Sequence, residues 1–160
     1  MKVVNRMTFV LVLIISAISV NAQNYVNWEW TQYKIVFSLA GDFKPVVNTA
    51  EEFSAEGDGM EISIFPFKDK SISHEDIADY TLAIAESIEA EEYDDADVVQ
   101  LNGLQGAFVE AYKDGDRVVI LGFIDPASAT NFFAVITFGD DDAEAEDEAV
   151  RIIKSFRKKR

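Results

Sequence analysis

Glu110 is the position at which the sequence comes closest to predicting acid–base chemistry. It lies between Phe108 and Tyr112 in a segment whose alternation predicts a strand, on a face that is otherwise apolar. A carboxylate buried on such a face has a raised pKa and can serve as a general acid or base. A simpler interpretation is favoured, because Arg117 is predicted to lie diagonally across a hairpin from Glu110, where the two would form an ion pair. If Glu110 acted as a general acid or base, the chain would be a small carboxylate-dependent hydrolase, which is an alternative function.

A run of three acids, Asp140, Asp141 and Asp142, is the candidate for metal binding. Calcium sites use about six to eight oxygen ligands, usually from a loop in which acids alternate with other residues. These acids follow Gly139 without alternating, and they stand just before a predicted helix, where capping and solvation explain them. A weak divalent-cation-binding module is therefore an alternative function, and helix capping is the favoured interpretation.

Other catalytic and cofactor chemistry finds little support in the sequence. The chain has one histidine, His74, and no cysteine, so neither a zinc site nor a histidine-based triad is expected. No phosphate-binding loop, dinucleotide fingerprint or nucleophile elbow occurs. We therefore predict no catalytic residue and no cofactor.

The aromatic residues Tyr25, Trp28 and Trp30 allow two interpretations. In an extended segment Trp28 and Trp30 point to the same face, where they could form an exposed platform for a sugar or a peptide. They could equally fold back over the sheet as an N-terminal strand, and this second interpretation is favoured.

The first 22 residues have the pattern of a secretory signal peptide. Lys2 and Arg6 precede an apolar run over residues 9–20, and the small residue Ala22 precedes the expected cleavage point. This run is too short to predict a stable membrane span, and the absence of cysteine excludes a lipoprotein. We predict a periplasmic or secreted protein with a signal peptide at 1–22, a single domain at 23–160 and no membrane insertion after cleavage.

The chain is strongly acidic, with 14 Lys and Arg against 29 Asp and Glu and a formal net charge of −15. Such a field repels phosphate backbones and anionic lipid, so neither nucleic acid nor a membrane surface is expected as a partner. Cations and basic protein partners remain compatible with this charge. Solubility in an exposed compartment also explains it.

Four consecutive strands are predicted over residues 98–138. The dipeptides Asn102-Gly103 and Asp114-Gly115 are strong signals for two-residue hairpins with type I′ turns. The two turns fix a register in which Val98 pairs with Ala107, and Ala107 with Gly122. These strands are apolar on both faces, so both faces need cover.

Two helices are available to cover the predicted sheet. The first is predicted over residues 74 to about 91, with Ser73 as its N-cap and Asp76 completing a capping box. The second begins after Asp142, and its apolar stripe ends at Phe156. These elements predict an α+β fold, an α/β/α sandwich with a central antiparallel meander and a helix on each face.

Two segments resemble the PsbP-like family, named for an extrinsic subunit of photosystem II. One is the aromatic strand and turn Phe37-Ser38-Leu39-Ala40-Gly41-Asp42-Phe43-Lys44, and the other is the helix end Ile152-Ile153-Lys154-Ser155-Phe156. The resemblance spans roughly residues 33–156. Relatives often have Pro and Trp in that first turn, where this chain has Ala40 and Phe43. The resemblance implies an exported α/β/α domain with an accessory, usually non-catalytic role, and it carries over no binding residue.

Together these patterns predict an exported, non-enzymatic accessory or binding domain that acts through a protein partner. The sequence does not identify that partner or the oligomeric state. The hydrolase centred on Glu110 and the cation-binding module at residues 140–142 are the alternatives.

Overall fold

The computed structural model describes residues 24–69, 71–128 and 130–160. The predicted signal peptide, residues 1–22, therefore lies outside the described residues. The strands are β1 (Tyr25–Trp30), β2 (Ile35–Ala40), β3 (Lys44–Asn48), β4 (Phe53–Gly57), β5 (Met60–Phe67), β6 (Asp97–Leu101), β7 (Leu104–Lys113), β8 (Asp116–Ile124), β9 (Asn131–Gly139) and β10 (Arg157–Lys158). The helices are α1 (Ile77–Ser87), preceded by a 3-10 turn over His74–Asp76, and α2 (Ala143–Ser155).

Two antiparallel sheets form the fold. The larger has seven strands in the order β3-β4-β5-β9-β8-β7-β6, and the smaller has three in the order β1-β2-β10. The predicted meander is confirmed as β6 to β9, with Val98 opposite Ala107 and Ala107 opposite Gly122. The α+β class is confirmed as well.

The two hairpin turns differ in backbone conformation. Asp114 and Gly115 have φ of 54° and 91°, as a type I′ turn requires. In the other turn only Gly103 has a positive φ, of 79°, so the type I′ prediction is wrong there. Asn102 instead lies beside β10 and accepts a hydrogen bond from the Lys158 N–H at 2.9 Å.

Alternate residues of the large sheet pack against different elements. On β8, Val118 and Ile120 belong to the apolar cluster that includes Ile84 and Ala85 of α1. The alternate residues face α2 together with the small sheet, in a larger cluster that contains Trp30, Phe37, Val119, Leu121, Phe123, Ile152 and Phe156. The second face is thus covered by a helix and a second sheet. The sequence predicted a helix on that face and an N-terminal strand folded over the sheet, but it did not predict a separate sheet.

The capping box predicted before α1 is present, whereas the helix ends earlier than predicted. Ser73 donates from its backbone N–H and its hydroxyl to the Asp76 carboxylate, at 3.2 and 2.6 Å, and these hydrogen bonds lower the pKa of Asp76. The helix ends at Ser87, four residues before the predicted end. Glu89 adopts a left-handed φ of 59°, and the Ala90 N–H donates back to the Ala85 carbonyl. Such a left-handed residue terminates a helix.

Helix α1 approaches the sheet closely at Gly122. Thr81 is fully buried, and its hydroxyl lies 2.8 Å from the Ile77 carbonyl oxygen and 3.1 Å from that of Ala107. A Cβ on Gly122 would lie 2.4 Å from the Thr81 hydroxyl oxygen. Only glycine fits at this position without moving the helix.

The segment 157–159 joins the two sheets. Lys158 donates to the Asp125 carboxylate and, at 2.9 Å, to the Tyr33 carbonyl oxygen. The backbone N–H of Lys159 donates to the Lys34 carbonyl oxygen at 2.8 Å. Asp125 is only 2 % exposed, so Lys158 neutralises a buried charge at the junction. Helix α2 stops at Ser155, and Arg157 and Lys158 beyond it form β10.

We predict that Gly122→Ala destabilises the fold by about 1–3 kcal/mol, because the added methyl group overpacks the contact between α1 and the sheet. Gly139→Ala is the matched control, since its Cβ would meet only an Asp141 side-chain oxygen at 3.3 Å. Urea unfolding measures both variants. Equal stability of the two would contradict the close packing described at Gly122.

We predict that Lys158→Met costs about 2–4 kcal/mol, because it leaves the Asp125 carboxylate buried without a counter-charge. Lys159→Met removes a solvent-exposed pair with Glu29 and should cost less than about 1 kcal/mol. Adding Asp125→Asn to Lys158→Met should restore part of the lost stability, as thermal unfolding would show. An additive double variant would contradict the pairing.

Candidate functional site

Glu110 and Arg117 lie on adjacent strands near the β7–β8 turn. Glu110 is opposite Val119, and Arg117 is opposite Tyr112, so the two charged residues are diagonal neighbours. The Arg117 Nη2 lies 3.1 Å from the Glu110 Oε2. The predicted ion pair is confirmed.

Arg117 is the centre of a larger cluster. Its Nη1 donates to the Glu146 carboxylate of α2 at 2.6 Å, and its guanidinium lies 5.7 Å from the ring centre of Tyr112 and 5.9 Å from that of Phe138. Partial burial acts to lower the pKa of Arg117, but the hydrogen bond and charge of Glu146 and the charge of Glu110 raise it. The cluster fastens the first turn of α2 to the sheet with a permanent cation.

The Glu110 carboxylate is not buried. Its side chain is 38 % exposed, whereas that of Arg117 is 20 % exposed. The alternative of an acid–base role required burial on an apolar face, and that burial is absent. This alternative is therefore wrong, because the hairpin tip leaves Glu110 open to solvent beside its partner.

A cavity of about 290 Å³ lies beside Glu110. Glu91 pairs with Tyr112 of β7, and Asp97 pairs with Phe108. Between these two pairs, residues 92–96 curve away from residues 109–111 of β7, and this separation forms the cavity. The lining includes four exposed acids from this segment and its end, Glu92, Asp94, Asp95 and Asp97. With Glu110 they make a negative recess in which Arg117 is the basic residue.

The acids at residues 140–142 have separate roles. The Asp142 carboxylate accepts a hydrogen bond from the Ala145 N–H at 2.9 Å and caps α2, as the favoured interpretation predicted. The Tyr112 hydroxyl donates to Asp140, and this hydrogen bond raises the pKa of Tyr112. Across residues 24–69, 71–128 and 130–160, no group of three or more Asp, Glu or His side chains is arranged to hold a metal ion.

The two tryptophans belong to β1, an N-terminal strand as the favoured interpretation predicted, and β1 pairs with β2. Trp30 is fully buried, and its indole N–H donates to the Thr49 carbonyl oxygen at 2.6 Å. Trp28 is half-buried with its ring edge against Phe53. The alternative of an exposed aromatic platform is wrong, because Trp30 is in the core.

Two features of this region lie beyond what the sequence analysis predicted. The contact between Arg117 and Glu146 joins residues 29 positions apart, and their separate elements carried no signal for it. The outward bow of residues 92–96 is marked by Glu92, whose φ is 51°. The only sequence signal for it was the density of acids, which strands disfavour.

We predict that Arg117→Met destabilises the protein by about 1–2 kcal/mol, because Glu110 and Glu146 both lose their counter-charge and two aromatic rings lose a cation. Glu110→Gln should cost less than about 1 kcal/mol, since this carboxylate is well solvated. Lys113→Met serves as a control for loss of one exposed cation. A Glu110→Gln cost equal to that of Arg117→Met in urea unfolding would contradict the geometry.

Comparison with known proteins shows likeness at the level of fold. No protein-family model and no curated protein sequence matches the chain. Among solved structures, cyanobacterial PsbP from Synechocystis sp. PCC 6803 is similar with a TM-score of 0.58 and 8% identity, over 86% of this chain and 94% of that one. The Saccharomyces cerevisiae Ran-binding protein Mog1p is similar with a TM-score of 0.53 and 12% identity, over 84% of this chain and 95% of that one.

A Bacteroides thetaiotaomicron VPI-5482 protein is also similar, with a TM-score of 0.52 and 12% identity, over 86% of this chain and 49% of that one. At such identities the likeness concerns the fold alone. The chain therefore shares the PsbP-like fold found in cyanobacterial PsbP and Mog1.

Proposed function

We propose that this chain is an exported accessory domain that binds a protein partner and has no catalytic role. It would be an α/β/α member of the PsbP-like fold in which a small sheet and α2 together cover one face of the large sheet. The observation that carries the proposal is the ion-pair cluster of Glu110, Arg117 and Glu146, in which the carboxylate considered for acid–base chemistry is paired with the arginine that joins α2 to the sheet. The meander then acts as a scaffold that presents a surface.

The surface charge favours a protein partner. The chain carries a formal net charge of −15, and removal of residues 1–22 would take away Lys2 and Arg6 and no acid. An acidic surface steers basic partners and repels nucleic acid and anionic lipid. Neither described helix has the length and apolar composition to span a bilayer.

The structural neighbours support the same class of function by analogy. Mog1p is described as Ran-binding, and it matches this chain over nearly its whole length. Fold likeness raises the expectation of an interaction role without identifying the partner. Export is proposed from the basic, apolar and small-residue pattern of residues 1–22.

We predict that the mature protein begins at Gln23, because the small residue Ala22 suits signal peptidase. Fractionation of cells that make the full chain, followed by mass spectrometry of its N-terminal peptide, tests this. A protein that keeps residues 1–22 and stays with the cytoplasmic fraction would contradict export.

The binding role is tested by cross-linking the tagged full chain in its own cells and identifying the captured proteins. One dominant partner is expected, with a complex that weakens as salt rises, because charge contributes to it. Glu110→Gln is the variant that separates this role from the hydrolase alternative. An activity of the purified chain that Glu110→Gln abolishes without loss of stability would overturn the proposal.

A further inference from the structure

The two outer edges of the large sheet are built differently. The edge strand β3 carries Lys44 and Pro45, and its pairing with β4 shifts register between Pro45 and Val47. Lysine, proline and bulges are the features with which proteins block pairing at an exposed edge. The opposite edge strand, β6, has an unbroken register with β7 and contains none of these features.

The outer edge of β6 presents unpaired backbone groups. The hairpin closes at the pair Leu101–Leu104, so alternation turns the N–H and C=O of Val98 and Gln100 away from β7. Asn102 follows them in the same alternation, and its carbonyl oxygen accepts a hydrogen bond from the Lys158 N–H. Within the described part of the chain, no strand lies beside Val98 and Gln100.

The side chains beside this edge are sorted between the two faces of the sheet. Val98 is 65 % exposed. It lies on the same face of the sheet as Ala107, which packs against Ile77 of α1. Asp97 lies on the other face opposite Phe108, the same face as Glu110, and with Glu110 it borders the acidic recess. An added strand would thus meet the exposed side chains of Val98 and Gln100 on one face, and on the other the exposed Asp97 followed by the buried Val99 and Leu101.

We propose that the edge of β6 docks an extended segment of a partner protein in which apolar and basic residues alternate, adding an eighth strand to the sheet. Because side chains alternate between faces, such a segment would place apolar residues beside Val98 and lysine or arginine beside Asp97. This inference rests on the proposed binding function and specifies the chemistry of the partner.

Charge selects this occupant over a second copy of the chain. Two copies of the chain would each bring a formal net charge of −15 to the contact, and repulsion between them opposes pairing of two β6 edges. Binding of a basic segment would be stabilised both by backbone hydrogen bonds to β6 and by attraction to the acids of the recess. The strand of five residues spans about 17 Å, so the docked segment is short and its binding should be sensitive to salt.

The probe for this site is a blocked peptide in which lysine and valine alternate, added to isotope-labelled full chain. Nuclear magnetic resonance shifts are expected at the amides of residues 96–100, and they should diminish as salt is raised. The counterpart peptide with glutamate in place of lysine should produce none. Absence of binding by the lysine peptide, or shifts confined to other surfaces, would overturn the proposal.

Two exposed valines provide matched variants. Val98→Lys should weaken binding about tenfold or more, because it places a cation beside the apolar residues of the segment and reduces the negative charge that attracts its basic residues. Val46→Lys makes the same change at a 61 % exposed valine on the blocked β3 edge and should leave binding unchanged. Val98→Pro removes an outward N–H without touching the β7 ladder, and it should also weaken binding. Equal binding by Val98→Lys and Val46→Lys would overturn the proposal.

The proposed binding function can fail or hold independently of this edge. A partner captured by cross-linking that binds wild type and Val98→Lys equally would overturn docking at β6 and leave the binding function standing. A dimer in sedimentation that Val98→Lys abolishes would show that a second copy occupies the edge, and would overturn the proposed occupant.

Discussion

The central strands of the large sheet bear apolar side chains on both faces, and the rest of the fold is arranged to keep both faces from water. Val118 and Ile120 of β8 face α1, while Val119, Leu121 and Phe123 face α2 and the small sheet. Burial of apolar area is the main favourable term in folding, so neither cover is dispensable. The close fit of Thr81 over Gly122 sets how near α1 can lie.

Two cations join separate elements of the fold through ion pairs. Arg117 reaches across the sheet to Glu110 and to Glu146 of α2, so one cation joins the meander to one of its covers. Lys158 performs a similar role between the two sheets by neutralising Asp125. The bulk of the acidic charge is left at the surface, and part of it gathers at the open β6 edge.

Local signals predicted the parts of the fold that depend on short stretches of sequence. Asp114-Gly115 fixed a register because positive φ is costly for most residues, and the Ser73–Asp76 box marked the start of α1. The small sheet was not predicted as a unit, because the pairing of β2 with β10 joins segments that lie far apart in the chain. The ion pair of Glu110 with Arg117 was predicted from the hairpin register, whereas the contact of Arg117 with Glu146 depends on how α2 packs against the sheet.

The order of elements along the chain has a consequence for how the protein folds. Both α2 and β10 follow every strand of the large sheet, and the contact of Lys159 with Glu29 joins residues 130 positions apart. Non-local pairings of this kind slow folding, because loop-closure entropy is lost before the contact forms. During synthesis the face that contains Leu121 and Phe123 therefore lacks the cover of α2 until residues 143–155 have been made. Apolar surface that is transiently exposed in this way is prone to aggregation.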